Sequence, residues 1–153
     1  MSTEKYIVFK LKGQNYAASI QQIVTIERLQ EVVALPQASS FIDGITELRG
    51  EVIPVIDLKS RMDLPRSEST EHSRMLVSPI NDVQVGFVVD EASDVIDIDD
   101  GIIEAAPTTI KGVNGNFLHG VAKLEDRLLL LLDLEHVLNY EEVNEVKQVV
   151  QEK

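Results

Sequence analysis

Residues 41–58 read FIDGITELRGEVIPVIDL, and residues 117–134 read FLHGVAKLEDRLLLLLDL. The two stretches align without a gap at an offset of 76. Phe41 matches Phe117, Gly44 matches Gly120, Leu48 matches Leu124, Asp57 matches Asp133 and Leu58 matches Leu134. Most other apolar positions exchange one aliphatic residue for another. A weaker match joins the earlier parts at an offset of 69: Ile7-Val8 falls on Leu76-Val77, and Tyr16 to Ile20 on Val85 to Val89. A repeat of this length marks two similar modules in tandem. The division is expected near 1–66 and 67–153. The stretch from Lys59 to Arg74, with Pro65 and a run of polar residues, reads as the connector.

Within each module the periods are those of short strands. Ile7, Phe9 and Leu11 alternate with Tyr6, Val8 and Lys10, the two-residue period of a strand. Gly13-Gln14-Asn15 and Arg49-Gly50-Glu51 are turn signals between apolar runs, which predicts two hairpins. Ile20, Ile23 and Ile26 are spaced by three, as in one helical turn leading into a strand. Pro54 cannot donate to a ladder, so its strand is expected to be an edge there or to carry a bulge. Val and Ile together outnumber the aromatic residues several-fold, which favours pleated surfaces. Val143, Val146, Val149 and Val150 recur at helical spacing and predict an amphipathic C-terminal helix, expected to cover an open end of the second module. The fold class that follows is mainly β: two small barrels with short helices.

Composition removes several function classes. The chain has 153 residues, 14 of them Lys or Arg and 26 Asp or Glu, for a net charge of −12. Such a chain is repelled by phosphate backbones and by anionic membrane surfaces. It has no cysteine, which excludes disulfides, thiolate nucleophiles and thiolate metal sites. Its longest aliphatic run, Leu128 to Leu132, is far short of the roughly 20 residues of a membrane helix. A soluble, cytoplasmic protein is the expectation.

Catalytic motifs are missing. His72, His119 and His136 are scattered. There is no G-x-S-x-G elbow, no P-loop and no G-x-G-x-x-G. The stretch Asp97-Ile98-Asp99-Asp100-Gly101 fails as an EF-hand, because the glycine falls at position 5 and Thr108 at position 12. No cofactor and no metal are expected. Asp90 to Glu104 holds seven acidic residues and no basic one. It is either a solvated acidic face or a contact surface for a basic partner. What remains is a binding module with a groove between related halves. Arg49, beside Gly50 in a turn between two apolar strands, is either a solvated turn residue or a contact to an approaching partner backbone.

The stretch from Gly44 to Leu58 resembles the signature G-[VI]-x-x-L-R-G-x-x-x-P-[VI]-x-[DN]-L of the CheW-like family of bacterial chemotaxis coupling proteins. Val85 to Asp90, Tyr16 to Ile26 and Gly120 to Leu138 extend the likeness over about residues 5 to 140. The resemblance implies two five-stranded SH3-like β-barrels that exchange chain segments, so the linear boundary is approximate. It implies a non-catalytic adaptor between the cytoplasmic helical tip of chemoreceptors and the regulatory domain of the histidine kinase CheA. By matching positions, the receptor groove is expected to use Ile20, Ile23, Thr25, Gly44, Arg49 and Gly86. Thr25 departs from the acidic residue of some members, so no ionic contact is expected from its side chain. Kinase contacts are expected at Val32 and Val33, read as an exposed apolar pair, and at Glu104 and Thr109 in the opposite barrel. Two other readings compete: a small-molecule sensor binding between the barrels, and a hydrolase using paired carboxylates, for which no nucleophile stands near a base.

Overall fold

The computed structural model describes residues 2–36, 38–65, 68–105 and 118–151. The first hairpin is β1 (Thr3–Leu11) and β2 (Gln14–Ser19). A 3-10 turn, Ile20–Gln22, leads to β3 (Thr25–Arg28), as the isoleucine spacing predicts. The second hairpin is β4 (Ile42–Leu48) and β5 (Glu51–Asp57), followed by the single-turn helix α1 (Leu58–Arg61). Then come β6 (Arg74–Ile80), β7 (Val83–Val89), β8 (Glu91–Asp99), β9 (Ile103–Glu104), β10 (Leu118–Lys123) and β11 (Leu128–Leu132). Helix α2 (Tyr140–Gln151) closes the described chain.

Turn chemistry sets the hairpins. Lys12-Gly13, Arg49-Gly50 and Asn81-Asp82 join their strands in two residues, and both central residues have positive φ in each turn. Such a turn matches the right-handed strand twist and favours Gly, Asn and Asp.

Two sheets result. One has the order β8-β1-β2-β11-β10-β9 and the other β3-β6-β7-β5-β4. Their registers repeat each other. Tyr6 faces Ser19 as Met75 faces Val88, 69 residues on. Tyr6 also faces Ile96, as Met75 faces Glu27. The parallel pair Leu131–Ala17 corresponds to Val55–Gly86. The β-bulge between Leu118 and Gly120 corresponds to that between Ile42 and Gly44, 76 residues earlier. The hairpins β1–β2 and β6–β7 have therefore changed places: each sits in the sheet built mostly from the other half of the chain. The division at 66/67 marks the sequence repeat, whereas sheet membership crosses it twice.

Pro54 faces Ile45 on β4, and the pairing of β5 with β7 begins only at Val55. No β7 ladder partner faces β5 at Pro54, so the strand is an edge on that side there, the first of the two alternatives; the bulge of this hairpin lies on β4 and not on the proline strand.

Three cores fill the molecule. Tyr6, Val8, Ala17, Ile98, Ala122, Leu129 and Leu131 pack inside the first barrel. Ile53, Val55, Met75, Val77 and Val88 pack inside the second, with Leu29, Val32 and Leu48 against them. The largest core lies between the sheets and includes Phe9, Leu11, Ile56, Leu58, Leu76 and Phe87. Each fully buried aliphatic or aromatic side chain there contributes roughly 1.5–3 kcal/mol. Val143 and Val146 of α2 join this shared core. The helix therefore covers the seam between the sheets, and not an open end of the second barrel. Its placement comes from polar contacts as well: Arg61 Nε lies 3.0 Å from Glu142, and Ser39 donates to Glu145 at 2.6 Å through Oγ and 2.9 Å through its backbone N–H.

Candidate partner-binding surface

The surface is built around β3 and the β4–β5 turn. Ser19 caps the 3-10 turn by accepting from the Gln21 N–H at 3.2 Å. The turn leaves Ile20 exposed, at 38% of its full surface, while Ile23 is buried in the shared core. Gln22 anchors the turn from behind. Its side chain donates to Asp133 at 2.7 Å and accepts from the Leu134 N–H at 2.9 Å. Burial pushes the Asp133 carboxyl up, but hydrogen bonds from Gln22, His136 and the Glu135 N–H, with the charge of His136, outweigh it and hold it below the usual carboxylate range.

On β3, exposed and half-buried residues alternate. Thr25 and Glu27 share a face with the inner residues Val77 and Met75, to which they are paired. Glu27 reaches across the end of the barrel to Arg49, whose Nη1 lies 2.8 Å away. Arg49 keeps 67% of its side-chain surface in solvent, against 15% for Glu27. The pair therefore holds a guanidinium at the surface with most of its area in solvent. The Thr25 hydroxyl oxygen is buried with no hydrogen-bond partner among the described residues. The other barrel closes in a related way, with Arg127 of its hairpin turn 3.3 Å from Asp94 of β8.

Gly44 and Gly86 serve spacing. A Cβ on Gly44, at φ +146°, would lie 2.0 Å from the carbonyl oxygen of Val33. That approach is what lets Val33 pair with Ile45, with N–H···O distances of 2.8 and 3.0 Å, and so close the barrel. A Cβ on Gly86 would lie 2.4 Å from the sulfur of Met75. Both glycines are buried, so they shape the surface from beneath.

Val32 and Val33 separate. Val33 is 57% exposed, whereas Val32 is half-buried against the second barrel's core, because consecutive residues of extended chain point to opposite sides. The exposed pair expected from the sequence is thus one exposed valine backed by one packed one. Val33 borders a groove of about 410 Å³ with Gln30, Glu31, Ile45 and Glu47. Glu104 is exposed on β9, where its backbone pairs with Val121. Thr109 lies outside the described residues.

Sequence reasoning missed Val24 and Ile26, which are 52% and 40% exposed, and missed Glu27 as the partner of Arg49. The alternation Val24-Thr25-Ile26-Glu27 was the available signal, since an edge strand with an apolar outward face is an interface pattern. The acidic stretch is largely used locally. Asp90 pairs with the buried Lys59 at 2.5 Å, Asp97 with Lys5 at 3.0 Å, and Asp99 caps a 3-10 turn. Among the described residues no three His, Asp or Glu side chains converge to hold a metal ion, and no helix is long and apolar enough to cross a membrane.

This arrangement has known counterparts. The chemotaxis protein CheW of Bacillus subtilis is 39% identical over 138 residues, covering 90% of this chain and 88% of that one. The chemotaxis protein CheW of Klebsiella aerogenes is 30% identical over 146 residues, covering 95% and 88%. The crystal structure of the scaffolding protein TtCheW from Thermoanaerobacter tengcongensis superposes with a TM-score of 0.84 at 30% identity, covering 92% of this chain and 97% of that one. The fold is thus the two-barrel SH3-like one that the sequence led to expect. A family model for the CheW-like domain matches residues 5–142, and with these relatives it shows that the chain belongs to the CheW-like domain family.

Proposed function

We propose that this chain is a non-catalytic chemotaxis adaptor that couples the cytoplasmic tip of chemoreceptors to the regulatory domain of a CheA-type histidine kinase, in the cytoplasm. The relatives that carry the name CheW support the chemotaxis role. The observation that carries the coupling role is the Arg49–Glu27 pair, held at the surface by an edge strand that exposes Ile26, with Val24 and Ile20 exposed in the turn that leads into it. It combines apolar anchors with one charged, preorganised donor, the composition of a recognition patch. Ile20 and Arg49 take the receptor helix. Ile23, Thr25, Gly44 and Gly86 hold the patch in shape. Val33, with Val32 behind it, takes the kinase, and Glu104 with Thr109 belongs to the contact at the opposite barrel.

Affinity for each partner measured separately tests the assignment. Arg49→Glu is expected to lose receptor-fragment binding and to keep kinase-domain binding, and Val33→Asp the reverse. Equal loss of both, or of neither, contradicts it.

A further inference from the structure

On the first barrel, next to Ile20, lies a recess of about 320 Å³ that the receptor patch does not use. Glu4, Tyr6, Gln21, His119, Asp133 and Glu135 border it, and no Lys or Arg is among its lining residues. Its carboxylates differ in availability. Asp133 spends its acceptor positions on Gln22, His136 and the Glu135 N–H. Glu4 accepts one hydrogen bond, from the Ser19 hydroxyl, and Glu135 is exposed. A second observation is independent of the charges. Tyr6 is 4% exposed and lines the recess, yet its hydroxyl has no hydrogen-bond partner among the described residues. The hydroxyl keeps some solvent access and lines the recess, so an occupant there can bond it. The phenol is also held above its usual range, by burial and then by the charges of Glu4 and Asp100, which fits a negative field at that oxygen.

We infer that this recess is a socket for one cationic side chain, a Lys or Arg of the receptor helix that covers Ile20. The inference rests on the receptor reading above. The volume lies at the small end of ligand pockets and suits a side-chain head more than a whole small molecule. Ser19 and Gln21 line the recess and flank Ile20, so the apolar anchor and the anionic socket belong to one 3-10 turn. A helix seating an apolar residue on Ile20 carries its neighbours one turn away about 5–6 Å along the same face, within reach of the socket. Glu4 and Glu135 supply the charge, and the Tyr6 oxygen accepts an N–H.

The test uses the full chain and a receptor cytoplasmic fragment. The double variant Glu4→Gln/Glu135→Gln keeps an acceptor for Ser19 and removes both free charges. It is expected to bind the receptor fragment about tenfold more weakly and with a shallower salt dependence. Binding to the kinase regulatory domain is expected to be unchanged, which also reports that the variant folds. Tyr6→Phe leaves the ring in the core and is expected to cost a few-fold in receptor affinity alone. Receptor affinity and salt dependence equal to wild type in both variants would overturn the socket while leaving the receptor reading in place. Wild type that binds no receptor fragment overturns both. Agmatine serves as a free guanidinium probe. Millimolar, competitive binding is expected, and micromolar binding without receptor would make a soluble cation the occupant and overturn the proposal.

Discussion

Arg49 stands in the left-handed backbone region at φ 52°, where a non-glycine residue costs about 1 kcal/mol, and its side chain returns little stability because the pair with Glu27 is largely solvated. An arginine kept there on such terms is better explained by what it contacts than by what it stabilises. Arg49→Glu is accordingly expected to shift stability by less than about 1 kcal/mol in urea unfolding, even though it places two like charges together. The two buried glycines behave differently from each other. Gly44→Ala meets backbone, at Val33, and is expected to cost more than about 2 kcal/mol with no second-site remedy. Gly86→Ala meets the Met75 side chain. It is expected to cost about 1–3 kcal/mol and to be partly restored by Met75→Val, as melting of the single and double variants would reveal. The sequence pointed to Gly44 through the motif and to Gly86 through the wider family resemblance. It could not say that they act from beneath, because a glycine's reason lies in whatever approaches it.

Among the elements, the hairpins were the most legible. Gly13, Gly50 and the alternation of Ile7, Phe9 and Leu11 are local signals, and their outcome is local. Helix α2 was legible as a helix and not as to its target, since an apolar stripe names a face and no partner. Its docking depends on Glu142, which accepts from the Asn139 N–H at 2.8 Å, donates its own N–H to Asn139 Oδ1 at 2.8 Å, and pairs with Arg61. This is a capping box combined with a mostly buried ion pair. Glu142→Ala is expected to destabilise the fold by about 1–3 kcal/mol, while Glu141→Ala on the exposed side changes it by less than about 0.5 kcal/mol. Equal effects of the two in thermal unfolding would contradict this account of helix docking.

For the whole molecule, the exchange of hairpins was out of reach of residue patterns. Alternation assigns each residue of β1 or β6 to a face, and both barrels offer the same faces. What the structure adds is a bond network at each crossing between sheets. Gln22, between β2 and β3, is tied to Asp133 and Leu134, and Asp90, between β7 and β8, is tied to Lys59. The Asp133 junction carries a pH signature. Its carboxyl is lowered in the folded state, so its contribution is present above its unfolded value, near 4, and is lost as pH falls through the folded value. Asp133→Ala is expected to be less stable than wild type by about 1–2 kcal/mol at pH 6, with the gap narrowing below about pH 4. A gap that stays constant from pH 6 to pH 3 would contradict the assignment.

An adaptor needs both partners at once, on separate surfaces of one rigid body, and that requirement is open to direct measurement. Receptor cytoplasmic fragments and the kinase are co-sedimented with this protein, wild type beside Arg49→Glu. Wild type is predicted to carry the kinase into the receptor pellet, and Arg49→Glu to leave receptor and kinase apart while still binding the kinase. Kinase that pellets equally with either protein, or with neither, would contradict the coupling role.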